Sequence, residues 1–131
     1  MRPRFEWNLI GKKKTAIFIG RFQPFHIGHK NIFLRALKSS KQVCILVMDS
    51  YKINKKNPYN FNIVKKKITG ALKVYKDKFI IIKIPVVSSV VYGRKVWYRI
   101  RKISLPTNIE KISATKIRKK MNLKWQMSSL Q

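Results

Sequence analysis

Residues 15–29 read TAIFIGRFQPFHIGH, and the order of residue types in that stretch decides the fold. TAIFIG (15–20) is short, β-branched and stopped by glycine, the pattern of a buried strand. Pro24 and Gly28 forbid a continuous helix through RFQPFHIGH. Over residues 28–39 the pattern turns helical, with Ile32, Phe33, Ala36 and Leu37 on one face. A strand end, a tight turn and two histidines flanking a glycine thus open a helix. Helix N-termini carry unpaired N–H groups and partial positive charge, and open α/β sheets bind ligands beyond the carboxyl ends of their strands. Gly20 and Gly28 are expected to let a phosphate approach the backbone with no Cβ in the way. His26 and His29, three apart, are expected to share a face and donate to the same phosphate oxygens. The bland alternative is a pair of surface or capping histidines. As a metal pair they lack a third imidazole, because the chain has 2 histidines.

Outward from this stretch the alternation continues. QVCILVM (42–48) reads as a second buried strand, residues 51–60 as a polar turn closed by Asn57-Pro58, and residues 61–75 as a second helix. In that helix Ile63, Val64, Ile68, Ala71, Leu72 and Tyr75 fall at helical spacing. Residues 79–84 read as a third strand closed by Pro85, and residues 96–103 alternate as a half-exposed strand would. Ser113 is placed to cap a last helix, SATKIRKKMN. Strands alternating with helices predict an α/β fold, a Rossmann-like three-layer sandwich with a mostly parallel sheet. The expected division is a basic extension over 1–14, one domain over 15–122 and a tail over 123–131, one domain being the natural count for 131 residues.

Composition narrows the chemistry. Lys and Arg number 31 against 4 Asp and Glu, a formal net charge of +27. Such a balance suits anionic substrates or a polyanionic partner. A/T-rich codons explain part of it, since Lys, Ile and Asn fill 49 of 131 positions, but they do not explain the shortage of acids. The four carboxylates, Glu6, Asp49, Asp77 and Glu110, lie far apart in sequence, which argues against a glycosidase pair or an acidic two-metal cluster. Cys44 is the one cysteine, so no internal disulfide or cysteine-based zinc site can form. No apolar run approaches the ~20 residues of a membrane span, and a cytoplasmic location is the expectation.

A second constellation, ISATKIR (112–118), places a capping Ser113, a hydroxyl at Thr115 and a guanidinium at Arg118 on consecutive helical turns. Free amides beside a guanidinium make a phosphate cradle, although capped helices with a basic turn are common. Together the two segments resemble the HxGH and ISxTxxR motifs of the nucleotidyltransferase α/β-phosphodiesterase superfamily. GRFQPFHIGH is most similar to the form found in archaeal-type nicotinamide-nucleotide adenylyltransferases and their bifunctional bacterial relatives. The motifs and the αβ pattern between them span residues 14–122.

The resemblance implies transfer of AMP from ATP to nicotinamide mononucleotide (NMN), giving NAD and pyrophosphate. It assigns His26, His29 and Arg118 to catalysis, and Gly20, Arg21, Phe22, Gly28, Ser113, Thr115 and Arg118 to nucleotide binding. It implies Mg²⁺ held mainly by the nucleotide phosphates with no protein metal site, Asp49 being a remote candidate for an indirect role. The implied partners are ATP and a phosphorylated small acceptor, with nonspecific polyanion binding and a homo-oligomer both compatible. Departures fall on the acceptor side. Val64, with Lys65 adjacent, stands where relatives often carry a substrate-facing arginine, and Pro85 is followed by Val86-Val87-Ser88 where many carry an acid or amide. Tyr92-Gly93-Arg94 reads equally as a phosphate contact or an exposed turn, and Trp97 and Tyr98 as base-stacking or packing rings. The chain is also shorter than typical relatives. Two rivals stand beside this reading: a cytidylyl- or adenylyltransferase acting on another phosphorylated molecule, and a non-catalytic basic nucleic-acid-binding module on the same fold.

Overall fold

The computed structural model describes residues 14–49, 53–94 and 100–103. The chain runs β1 (Thr15–Gly20), α1 (Ile27–Ser40), β2 (Gln42–Met48), α2 (Phe61–Ala71), a 3-10 segment (Lys73–Lys78) and β3 (Phe79–Ile84). All three strands fall where their β-branched runs predict. They form one parallel sheet in the order β1-β2-β3, each crossover carried by helix.

Register follows from which side chains must be buried. Val43 lies between Ala16 and Phe79, Ile45 between Phe18 and Ile81, and Val47 between Gly20 and Lys83. Side chains alternate across a strand, so Val43, Ile45 and Val47 share one face, and all three are buried. Phe33 and Ala36 of α1 and Val64, Ile68 and Leu72 of α2 join them in one core. The α2 contribution is an i, i+4, i+8 stripe, the spacing that keeps one helix face on a sheet. Each such buried side chain stabilises the fold by about 1.5–3 kcal/mol. The opposite sheet face is also apolar, carrying Ile17, Ile19, Cys44, Leu46, Met48, Ile80, Ile82 and Ile84, as parallel sheets usually do. The described residues thus build a Rossmann-like α/β unit: the sheet and the helical layer over one of its faces.

Two expectations are corrected. The helix expected over 61–75 stops at Ala71. The Leu72 amide still donates to Ile68 O at 2.9 Å, but the Tyr75 amide bonds Leu72 O at 2.8 Å, the i→i−3 closure of a 3-10 turn. Gly70 and the exposed, β-branched Val74 both weaken the helix there, and the tighter turn sets the Tyr75 ring 5.8 Å from Phe33. The half-exposed strand expected over 96–103 is not formed by residues 100–103. Instead Arg101 donates to Ser39 Oγ at the end of α1, 2.6 Å away. Residues 95–99 lie outside the described residues, as do 1–13 and 104–131 with the expected last helix and tail.

Candidate active site

The loop between β1 and α1 is built from the inside outward. Phe22 has φ 53, in the left-handed region that bulky residues rarely adopt. That conformation turns its ring inward, where it is 2 % exposed. A Cβ on Gly20 would stand 2.8 Å from the end of this ring. Gly20 therefore makes room for Phe22, and the space beside it is not open to a phosphate as the sequence reading expected. Phe22, expected among the nucleotide-binding residues, has its side chain in the core, touching Phe18 edge-on at 5.1 Å and His29 edge-on at 5.0 Å. Phe25 stacks on His29 at 5.5 Å and lies 5.7 Å from Phe22, so the two phenyl rings meet the imidazole on adjacent sides. Three phenyl rings thus hold one imidazole.

Gln23 anchors the same loop from its other side. Its Nε2 donates to Tyr59 O at 3.0 Å, and the Tyr59 amide donates back to its Oε1 at 2.9 Å. This reciprocal pair joins the loop to the turn that precedes α2, whose first turn is capped by Asn60 Oδ1 accepting from the Ile63 amide at 3.0 Å. Sequence reading passed over Gln23. The available signal was a single amide within FQPF, since a buried amide must find partners.

The helix opening itself is capped by histidine. His26 is the N-cap of α1, with extended backbone, and its Nδ1 accepts from the Gly28 amide at 3.0 Å. His29, at the third helical position, returns the bond: the His26 amide donates to His29 Nδ1 at 3.1 Å. This is a capping box in which imidazoles replace the usual hydroxyl and carboxylate. At Gly28, where a phosphate was expected to approach the backbone unhindered by a Cβ, the amide donates to His26. Because each Nδ1 accepts, each neutral ring carries its proton on Nε2.

Electrostatics keep both rings neutral. Their centroids are 3.9 Å apart. Burial, and secondarily the charge His26 would carry, lower the His29 pKa to about 3, and burial also lowers that of His26. The site therefore offers two oriented N–H donors that carry no charge at neutral pH, on a helix N-terminus at the carboxyl end of a parallel sheet. The sequence expectation of paired donors on one helix start has this concrete form, and the capping alternative turns out to be part of it: the ring atom that caps is not the atom that donates.

Around this centre Arg21 is exposed just past β1, and Asp49 follows β2, its amide donating to Ile84 O at 2.9 Å. Lys83 is exposed near the end of β3 with Nζ 5.7 Å from the Phe61 ring centre. Val64 is 1 % exposed, so that position packs in the core and does not face a substrate. Val86, Val87, Tyr92 and Arg94 are exposed and outside regular structure. Ser113, Thr115 and Arg118 lie outside the described residues, as do Trp97 and Tyr98. Among the described residues no group of three or more His, Cys, Asp or Glu is placed to hold a metal ion.

Comparison with known proteins points the same way. Residues 17–69 match the cytidylyltransferase-like family. A bifunctional NMN adenylyltransferase/ADP-ribose pyrophosphatase from Francisella tularensis is similar at 36% identity over 56% of this chain and 23% of its own, with a TM-score of 0.52. The same bifunctional protein in complex with AMP and a manganese ion is similar at 36% identity over the same shares, with a TM-score of 0.53. The match takes in less than a quarter of those relatives' length. By these likenesses the described α/β unit is similar to the cytidylyltransferase-like family over residues 17–69 and to that bifunctional NMN adenylyltransferase/ADP-ribose pyrophosphatase over 56% of the chain.

Proposed function

We propose that this chain transfers AMP from ATP to the phosphate of NMN, forming NAD and releasing pyrophosphate. One observation carries the proposal: the reciprocal His26–His29 cap, which aims two neutral Nε2–H donors from a helix N-terminus. In this reaction a phosphate oxygen of the acceptor forms a bond to the α-phosphorus of ATP while the bond from that phosphorus to the β-phosphate bridging oxygen breaks. The attacking oxygen is already anionic, so no general base is needed, in keeping with the scarcity of carboxylates. What the protein supplies is position and stabilisation of charge on the transferring and leaving phosphates.

His29, locked by Phe22 and Phe25, is the better placed of the two to donate to the α-phosphate, because its ring cannot swing away as charge develops. His26 donates beside it. Arg21, exposed and at the strand end, would hold phosphate near the junction with the acceptor. Ser113, Thr115 and Arg118 are assigned to the β- and γ-phosphates on the resemblance of their motif. Mg²⁺, where required, would arrive with the triphosphate.

The experiment is pyrophosphate release by the full chain with ATP or CTP against a panel of phosphorylated acceptors that includes NMN. NAD formation from ATP and NMN is expected, and His26→Ala and His29→Ala should each lower turnover by roughly 10²-fold, the scale for losing one preorganised donor. Wild-type turnover in both variants would remove the imidazoles from the mechanism. A second reading, transfer to another phosphorylated acceptor, is favoured by the cytidylyltransferase-like match and by the buried Val64 on the acceptor side. Signal from another acceptor without NAD formation would establish it.

A further inference from the structure

The described residues include eighteen Lys and Arg against Asp49 and Asp77. This excess is far larger than a triphosphate needs, and part of it is ordered along one side of α2. Asn62, Lys65, Lys66 and Thr69 line a shallow depression of about 470 Å³ on the solvent side of that helix. Lys73 follows just past the end of α2, at the start of the 3-10 segment. All five are exposed, while Val64, Ile68 and Leu72 on the other side are buried. The stripe therefore adds nothing to the core. The first turn of α2 holds no acidic residue.

We infer that this face of α2 is a second binding surface, separate from the histidine site, that takes the phosphodiester backbone of duplex nucleic acid. Lys65 and Lys66 on α2 and Lys73 just past its end present three ammonium groups to the phosphates that line a duplex groove. Asn62 and Thr69 add hydrogen bonds between them. The five residues include no apolar side chain to insert into a membrane and no ring on which an unpaired base could stack. Recognition is accordingly of backbone charge, without sequence preference.

The test is fluorescence anisotropy of a labelled 20-base-pair DNA duplex with the full chain, titrated from 50 to 300 mM KCl. Each phosphate neutralised contributes about −0.9 to the slope of log K against log salt. Neutralising the stripe in the triple variant Lys65→Gln/Lys66→Gln/Lys73→Gln should flatten that slope by about 2.7. An equal change of charge elsewhere, Lys38→Gln/Lys41→Gln/Lys102→Gln, should leave the slope within 1 of the wild type. His29→Ala should bind duplex as the wild type does, which keeps this test independent of the proposed reaction. Equal losses in the two triple variants would show diffuse attraction with no site, and the inference would be wrong. It would also be wrong if oligo(dT) bound more tightly than the duplex, or if no binding occurred at 50 mM salt.

Discussion

Lowering the pH from 7.5 to 5 should destabilise this protein chiefly through His29. Its pKa is about 3 in the fold, because burial and then the neighbouring His26 disfavour the cation. In the unfolded chain it returns to about 6.5. The unfolded state therefore binds the extra proton throughout the window between those values, and stability falls as pH falls through it. At pH 5 the unfolded ring is almost wholly protonated and the folded ring almost wholly neutral, which corresponds to a loss of roughly 2 kcal/mol relative to pH 7.5. The full penalty, approached only near pH 3, is about 4–5 kcal/mol. His26, also lowered, adds in the same direction. The background is unusually clean, because the chain has 4 carboxylates and 2 histidines. Urea unfolding at pH 7.5, 6 and 5, for wild type and His29→Gln, measures the difference. The variant should lose about 2 kcal/mol less over this range. In wild-type NMR spectra the His29 ring should show no titration near pH 6.5 and should hold its proton on Nε2. Titration of His29 near 6.5, or the same pH dependence in both proteins, would refute the neutral, mutually capped pair.

Two further substitutions test the parts that hold this pair, and a third tests the end of α2. Gly20→Ala should destabilise by about 1–3 kcal/mol, the usual cost of overpacking, since its Cβ meets a Phe22 ring that Phe18, Phe25 and His29 confine; unfolding midpoints near wild type would show that the ring moves freely. Gln23→Leu removes both bonds to Tyr59 and should cost about 1–3 kcal/mol. It should also speed hydrogen exchange at the Tyr59 amide, and unchanged exchange would place the loop anchor elsewhere. Gly70→Ala runs the other way. Nothing lies within 4 Å of the added Cβ, and its φ is not positive, so thermal unfolding should show stabilisation of about 0.5–1 kcal/mol; a lower midpoint would mean the open conformation of residue 70 is needed.

The elements were legible because period-2 and period-3.6 patterns report burial directly. QVCILVM had to be a buried strand, and Val64, Ile68 and Leu72 had to face it from a helix. The histidine site was legible as a place, since a glycine-punctuated loop between strand and helix has few other structural readings. Its internal logic was not legible. Sequence spacing cannot say which ring nitrogen caps the helix and which faces outward, because that is decided by the extended backbone at His26 and by bonds of 3.0 and 3.1 Å to main-chain amides. Nor could it show that Gly20 serves Phe22. A glycine beside a phosphate loop invites the reading of open space, and only a positive φ two residues later reveals the ring that fills it.

These details bear on why a chain of net charge +27 would use uncharged imidazoles at the proposed nucleotide site. Long-range attraction of anions is already supplied by the distributed lysines, and that attraction carries little orientation. A cationic histidine would add to the same undirected field and would bind substrate and released pyrophosphate alike, which raises affinity without favouring the transition state. A neutral Nε2–H held by phenyl rings does the complementary thing. Its hydrogen bond is directional, its proton is not lost to solvent near neutral pH, and its position cannot relax toward the ground state. The separation predicts unequal salt responses in one protein: added KCl should raise the apparent KM for the nucleotide while leaving kcat nearly constant. A fall of kcat in step with the rise of KM would mean that the distributed charge, and not the capped pair, stabilises the transferring phosphate.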